Sequence, residues 1–301
     1  MVDITVCTPT YNRGNLLKRL YDSLNSQTRL PKEWIIVDDG SEDDTRKTVE
    51  ELAIKSPFPI IYYYQINSGK HIAINTAVKY ANGTLFFIVD SDDYLEKNGI
   101  EVFCKEWEAI RKLTDNARER IIGVAANRKY PDGKVIGGTP EYKFLDTDLL
   151  TFRYILNVKG DKAEAYRTEV VRNNLFPVIE GERFCPEALV FYRLAHEGYQ
   201  LRFINESVYV CEYLEGGLTQ SGLKTIRKGP IATLLHMASI VNYTEVPWKI
   251  RIKHAVLFWR FSFWADNCTF RKQCEMLNNK LFLLFYPLGT IFYMRDRIWN
   301  K

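Results

Sequence analysis

Residues 84–95, TLFFIVDSDDYL, run an apolar stretch straight into Asp90, Asp92 and Asp93. A short, near-continuous apolar run of this kind fits a strand buried on both faces of a parallel sheet. Three carboxylates within four residues disfavour one another's ionisation unless a cation neutralises them. Residue chemistry alone leaves two readings open: a solvated acidic turn capping the next helix, or a site for a divalent metal.

Upstream, the pattern alternates. Strands are expected over 3–9 (DITVCTP), 33–39 (EWIIVDD) and 60–65 (IIYYYQ), with 84–90 as the fourth. Amphipathic helices are expected over 15–28, 42–55 and 70–81, the second with acids in its first turn. Strand–helix alternation with apolar strands predicts an α/β fold, a mostly parallel sheet with helices on both faces. Ligands of such sheets bind outside the carboxyl ends of the strands. TPTYNR, DDGS, NSGK and DSDD each follow one of the four strands, so one sheet edge collects four polar loops. Downstream, strands are expected at 120–127 and 162–167, a helix at 186–198 opening on Pro186, and two closing strands in YQLRFIN and ESVYVCEY. A Gly-rich polar loop, 214–224, then precedes helices from about Thr225 onward.

The chain has 301 residues, enough for one large domain or a domain with an appendage. Its N-terminus shows no basic region followed by an apolar core, so no secretory signal is expected. Six cysteines lie scattered without a CxxC pair, as reduced thiols in a cytosol do, and the four histidines have no HExxH spacing. From Trp248 onward ten Lys/Arg face three Asp/Glu, while the rest carries 31 against 34. No GxGxxG follows the first strand and no GxxxxGK[ST] occurs, which disfavours a dinucleotide fold and a P-loop NTPase. Mg²⁺ and Mn²⁺ take oxygen ligands and often only one or two carboxylates beside substrate phosphates, a role Asp90-Ser91-Asp92 fits.

The order TPTYNR, VDDGS, NSGKHIAIN, VDSDD resembles the nucleotide-binding half of family 2 glycosyltransferases, closely over 3–100 and more loosely to about 213. The resemblance implies the GT-A fold. A catalytic domain is expected over 1–224 (nucleotide-sugar half 1–100, acceptor half and lid 101–224), followed by a helical region over 225–301. It implies that Thr8, Pro9 and Tyr11 line the nucleoside pocket and that Asp39 hydrogen-bonds the base, usually uracil. Asn67 and Lys70 would approach the base or diphosphate, Asp90 and Ser91 the ribose side, and Asp92 would ligate Mn²⁺ or Mg²⁺. Asp93 would brace the turn. By chemistry alone Asp39 is also a turn or helix-cap residue and Lys70 a solvated first-turn lysine. Asn12 and Arg13 would shape the turn into the first helix, and His71 and Asn75 either line the site or pack.

Inverting members carry an acid just before a helix in the acceptor half, and Glu187 is the base expected here, with Glu182 the fallback. Pro186-Glu187 stands where the family has Glu-Asp. Gly217, Thr219, Ser221 and Lys224 are candidates for a lid over the diphosphate. The family's processive polymerases carry QxxRW and several membrane helices, and neither is found here. The implied activity is therefore a single transfer from a nucleotide-sugar, with UDP preferred, to a glycan or lipid-linked acceptor in surface-polysaccharide synthesis. Competing readings are a catalytically silent sugar-nucleotide binder and a nucleotidyltransferase, although TPTYNRGN lacks the latter's GxGxR-type loop. The apolar run 281–294 is shorter than the roughly twenty residues that span a bilayer. A basic, aromatic tail fits an anionic membrane surface or a partner subunit, and no nucleic-acid motif occurs. The expected location is cytoplasmic, peripheral on the inner face of the cell membrane.

Overall fold

The computed structural model describes residues 2–138, 141–212 and 225–299. They fall into two compact units. The first comprises Met1–Asp148, Val158–Leu175 and Gly198–Glu215, and the second Leu149–Asn157, Phe176–Glu197 and Gly216–Lys301.

The first unit is built on one sheet. Its strands are β1 (Ile4–Thr10), β2 (Glu33–Asp38), β3 (Ile60–Tyr64), β4 (Leu85–Ile88), β5 (Tyr94–Leu95), β6 (Ile121–Lys129), β7 (Phe144–Thr147), β8 (Lys162–Arg167) and β9 (Gln200–Val210). They run in the order β3-β2-β1-β4-β8-β6-β9-β5, with β7 on β9. The first four strands pair in parallel, as their patterning predicts, and β8 turns the sheet antiparallel on both its sides. Every residue of β1, β2 and β4 is buried, which accounts for their unbroken apolar character. Helices α1 (Gly14–Asn25), α2 (Thr45–Lys55) and α3 (Lys70–Tyr80) connect these strands, and α4 (Gly99–Ile110), α5 (Asp115–Arg120) and α6 (Thr168–Asn173) follow. Leu17, Leu20 and Leu24 of α1, at three- and four-residue spacing, enter the same core as Val6, Trp34, Phe87 and Phe103.

The two expected closing strands are a single one. β9 continues through Asn205-Glu206, and a register shift against β6 between Ala125 and Asn127 absorbs the extra residues as a bulge. Asn205 stays in the sheet because its backbone N–H donates to Lys143 O, 3.2 Å, and its side chain accepts from Asn127 Nδ2, 3.1 Å.

The second unit is helical: a π-helical turn (Thr151–Ile155), α7 (Ala188–His196), α8 (Pro230–Asn242), α9 (Trp248–Ser262), α10 (Phe270–Met276), a 3₁₀ turn (Lys280–Phe285) and α11 (Tyr286–Trp299). Leu234, Val241, Phe258, Trp259 and Phe282 form its core. Gly289 lets α11 lie directly on α9, since a Cβ there would meet Trp259 Cβ at 2.4 Å. Beside it Arg260 holds the buried Asp296 in two parallel hydrogen bonds of 2.6 and 2.8 Å. Among the described residues no helix is long and apolar enough to cross a membrane.

Candidate active site

The parallel register sets Thr10 beside Asp38 and Asp38 beside Tyr64, so the first three strands end level and their loops emerge together. Those loops, and the one after β4, are tied to one another in a closed ring.

Asn12, in the left-handed region at φ 52°, joins the first loop to the second. Its N–H donates to Ser41 Oγ at 2.7 Å and its Oδ1 accepts from Glu42 N at 2.8 Å. Asp39 joins the second loop to the third. Its carboxylate is buried and accepts from Gln65 Nε2, Ser68 N and Gly69 N, all at 2.8 Å. Asp38 supports this turn from below, accepting from Ser41 N at 2.8 Å and from the Tyr62 hydroxyl at 2.7 Å. Gly40 makes the close approach possible: at φ +90° its Cβ position lies 2.9 Å from Asn67 N. Lys70 joins the third loop to the fourth through Asp90 Oδ1 at 2.6 Å. Arg13 closes the ring through Asp92 Oδ2 at 2.8 Å.

Behind DSDD lies a second set of partners. Asp90 N donates to the Tyr209 hydroxyl at 3.0 Å, and the Arg128 guanidinium lies 4.3 Å from the centre of the Tyr209 ring. Arg19 donates to the carbonyl of Asp92 and pairs with Glu212. The Asp93 carboxylate accepts from Glu212 N at 3.2 Å, so it braces the turn against the end of β9. Burial would raise the Asp90 pKa, but Lys70, Arg128 and Arg13 outweigh it and hold the group below the usual carboxylate range. Asp93 is pushed up to about 7, by burial first and then by the Asp90 charge. Four carboxylates (Asp90, Asp92, Asp93, Glu212) thus meet four cations (Arg13, Arg19, Lys70, Arg128).

Of the sequence candidates, Asp39, Asn67, Lys70, Asp90, Ser91 and Asp92 share this edge, Ser91 as a buried residue of the turn. Tyr11 stands exposed at its rim, 47% accessible. Thr8 sits deeper: it is fully buried, and its hydroxyl accepts from the Trp34 indole at 2.9 Å. Pro9 is buried too, while Thr10 at the strand end has a buried hydroxyl with no hydrogen-bond partner among the described residues. His71 and Asn75 are buried on α3, and burial lowers the His71 pKa against the opposing charge of Asp39.

In the second unit Glu187 is half-buried at the N-cap of α7. Glu182 caps α8 instead, accepting from Ile231 N at 2.6 Å and Ala232 N at 2.9 Å. Gly217, Thr219, Ser221 and Lys224 lie outside the described residues. Sequence reading missed Thr10, Arg19, Arg128, Tyr209 and Glu212. It gave Arg13 only a turn-shaping part. The basic residue closing TYNR was the available signal.

Among the described residues no cluster of three or more His, Cys, Asp or Glu is arranged to cage an ion. The donor chemistry fits a different kind of site. Asp92 offers hard carboxylate oxygens that already hold a cationic group, which suits an ion taking its other ligands from phosphates and water.

Residues 5–172 match the sequence profile of glycosyl transferase family 2. The chain is 35% identical over 148 residues to the chondroitin synthase of Pasteurella multocida (strain Pm70), which covers 49% of this chain but only 15% of that protein. It is 25% identical over 229 residues to glycosyltransferase GlyG of Streptococcus pneumoniae serotype 4 (strain ATCC BAA-334 / TIGR4), covering 72% of this chain and 73% of GlyG. The solved structure of S. aureus TarS 1–349 in complex with UDP-GlcNAc is similar with a TM-score of 0.63 at 20% identity, over 96% of this chain and 79% of that one. At that identity the likeness shows a shared fold, GT-A. With more than half of its length inside the matched segment, the chain belongs to glycosyl transferase family 2.

Proposed function

We propose that this protein is an inverting, metal-dependent glycosyltransferase. In this reading it moves one sugar from a nucleotide-sugar, preferably a UDP-sugar, to a hydroxyl of a glycan or lipid-linked acceptor. The process served is surface-polysaccharide synthesis at the cytosolic face of a membrane. One observation carries it: four strand-end loops close into a ring in which Asp90 and Asp92 are each paired with a cation, Lys70 and Arg13, that a diphosphate could take over. The UDP-GlcNAc held by the TarS neighbour and the polysaccharide product in the chondroitin synthase's name support donor and acceptor class.

Asp92, flanked by Asp90 and Ser91, would hold Mn²⁺ or Mg²⁺, and the bound ion supplies Lewis-acid neutralisation of the diphosphate leaving group. Arg13 and Lys70 exchange their carboxylates for phosphate oxygens as the donor enters. A carboxylate has about four acceptor positions, and Asp39 commits three of them to the third loop, keeping one for a base N–H. Tyr11 offers an aromatic face at the rim. Glu187 takes the proton of the acceptor hydroxyl, whose oxygen attacks the anomeric carbon from the side opposite the leaving diphosphate. Both Glu182 oxygens are occupied by backbone N–H groups, which tells against Glu182 as the base.

Incubation with Mn²⁺, a sugar-nucleotide panel and membrane extract, with nucleotide release measured, tests this. Release is expected from one donor. Asp92→Ala should remove it, and Glu187→Gln should remove transfer while nucleotide binding persists. Binding without release from any donor would instead identify a silent sugar-nucleotide binder.

A further inference from the structure

Helix α11 is buried on one side and apolar on the other. Gly289 and the Arg260-bound Asp296, seven residues apart, mark the side that meets α9. Leu288, Ile291, Met294 and Ile298 recur at three- and four-residue spacing on the opposite side, exposed at 42, 62, 57 and 73%. Leu284, in the preceding 3₁₀ turn, is 71% exposed as well. An outward side of a surface helix is normally polar, and a continuous apolar stripe marks a docking surface.

The charges beside the stripe select its occupant. Arg295 and Arg297 are exposed on α11 and Lys280 is exposed at the start of the turn. The one acid of α11, Asp296, is buried and already bound to Arg260. Among the described residues, the helix and the turn before it therefore carry no exposed acid. The Arg295 guanidinium lies 4.9 Å from the centre of the Phe292 ring, a long side chain covering apolar surface with its charge at the edge. A second copy docking through this face would bring two cationic rims together with no carboxylate to answer them. Phosphate headgroups answer all of them while acyl chains take the leucine and isoleucine side chains.

We infer that the outward face of α11 and the 3₁₀ turn before it is an interfacial membrane anchor: Leu284, Leu288, Ile291, Met294 and Ile298 enter the acyl boundary of an anionic bilayer while Lys280, Arg295 and Arg297 engage its phosphates. This deepens the peripheral-membrane part of the proposed function and stands on the second unit alone.

Flotation of the full chain with vesicles of phosphatidylglycerol and phosphatidylcholine, against phosphatidylcholine alone, tests it. The chain should float with the anionic vesicles and remain in solution with the neutral ones. Ile291→Glu/Ile298→Glu, at exposed positions, should abolish flotation. Arg295→Glu/Arg297→Glu should weaken it by at least about thirtyfold. Circular dichroism and soluble-donor nucleotide release should match wild type in both variants, which separates failure of the anchor from failure of the enzyme reading. Failure to float on anionic vesicles overturns the inference. So does equal flotation on neutral ones, or a dimer in light scattering that Ile291→Glu dissociates in a chain that binds no vesicle.

Discussion

Asp92 and Asp93 differ by one position and by environment. Asp92 faces Arg13, whereas Asp93 is buried behind the turn. Removing Arg13 strips Asp92 of its cation. Arg13→Ala should therefore bind Mn²⁺ alone about two- to fivefold more tightly, the scale of a partly exposed ion pair, and UDP more weakly. Calorimetric titration with each ligand reads both, and unchanged Mn²⁺ affinity would dispose of the charge-exchange idea. For Asp93, the folded pKa of about 7 lies above its ordinary 3.8, so between those values the native state holds a proton that the unfolded chain has lost. Its stabilising contribution is complete below pH 3.8 and disappears as pH rises through 7, by on the order of 1.4 kcal/mol per unit. His236, lowered to about 4 by burial and then by His254, works in the opposite sense over an overlapping range. The test is consequently a difference: urea unfolding of metal-free Asp93→Asn minus wild type should become more favourable to the variant from pH 4 to 7. A pH-independent difference would refute it. The motif itself was legible because strand and acids are neighbours in the chain. Its partners were not, since Arg19 reaches Asp92 across 73 residues and Tyr209 reaches Asp90 across 119.

Elements show the same division. Strands β1 to β4 and their helices were readable because each buries a local apolar pattern. The merged β9 was not, because whether NES turns or bulges is decided by Lys143 and Asn127, distant in sequence. Gly40 lies in the DDGS loop that follows the second strand, yet the reason no side chain fits there is its approach to Asn67. Gly40→Ala should cost about 1–3 kcal/mol in urea unfolding, through positive φ and the contact together. In the helical unit, Asp296→Ala leaves the part-buried Arg260 guanidinium without its carboxylate. A loss of about 3 kcal/mol is expected, compared by thermal melts with the exposed control Glu275→Ala, which should be near neutral. Equal effects would show the Arg260–Asp296 pair to be no more than a surface contact.

At the scale of the molecule, the charge split between tail and body was evident from composition alone. That the tail's helices form a core and also present an apolar face follows only from which side of α11 Gly289 turns inward. The ring of loops has a consequence of another kind. Around the DSDD turn four carboxylates face four cations, while Asp38 and Asp39 add two further acids to the ligand-free edge. A nucleotide-sugar diphosphate entering with a divalent ion is itself close to neutral. Little counterion is then taken up or released on binding, so donor affinity should change less than about twofold between 50 and 500 mM salt. Vesicle attachment through Arg295 and Arg297 should be lost over the same range. A donor arriving at such an edge meets no attractive field reaching out into solvent. Capture then proceeds without electrostatic steering, and selectivity among nucleotides rests on dissociation.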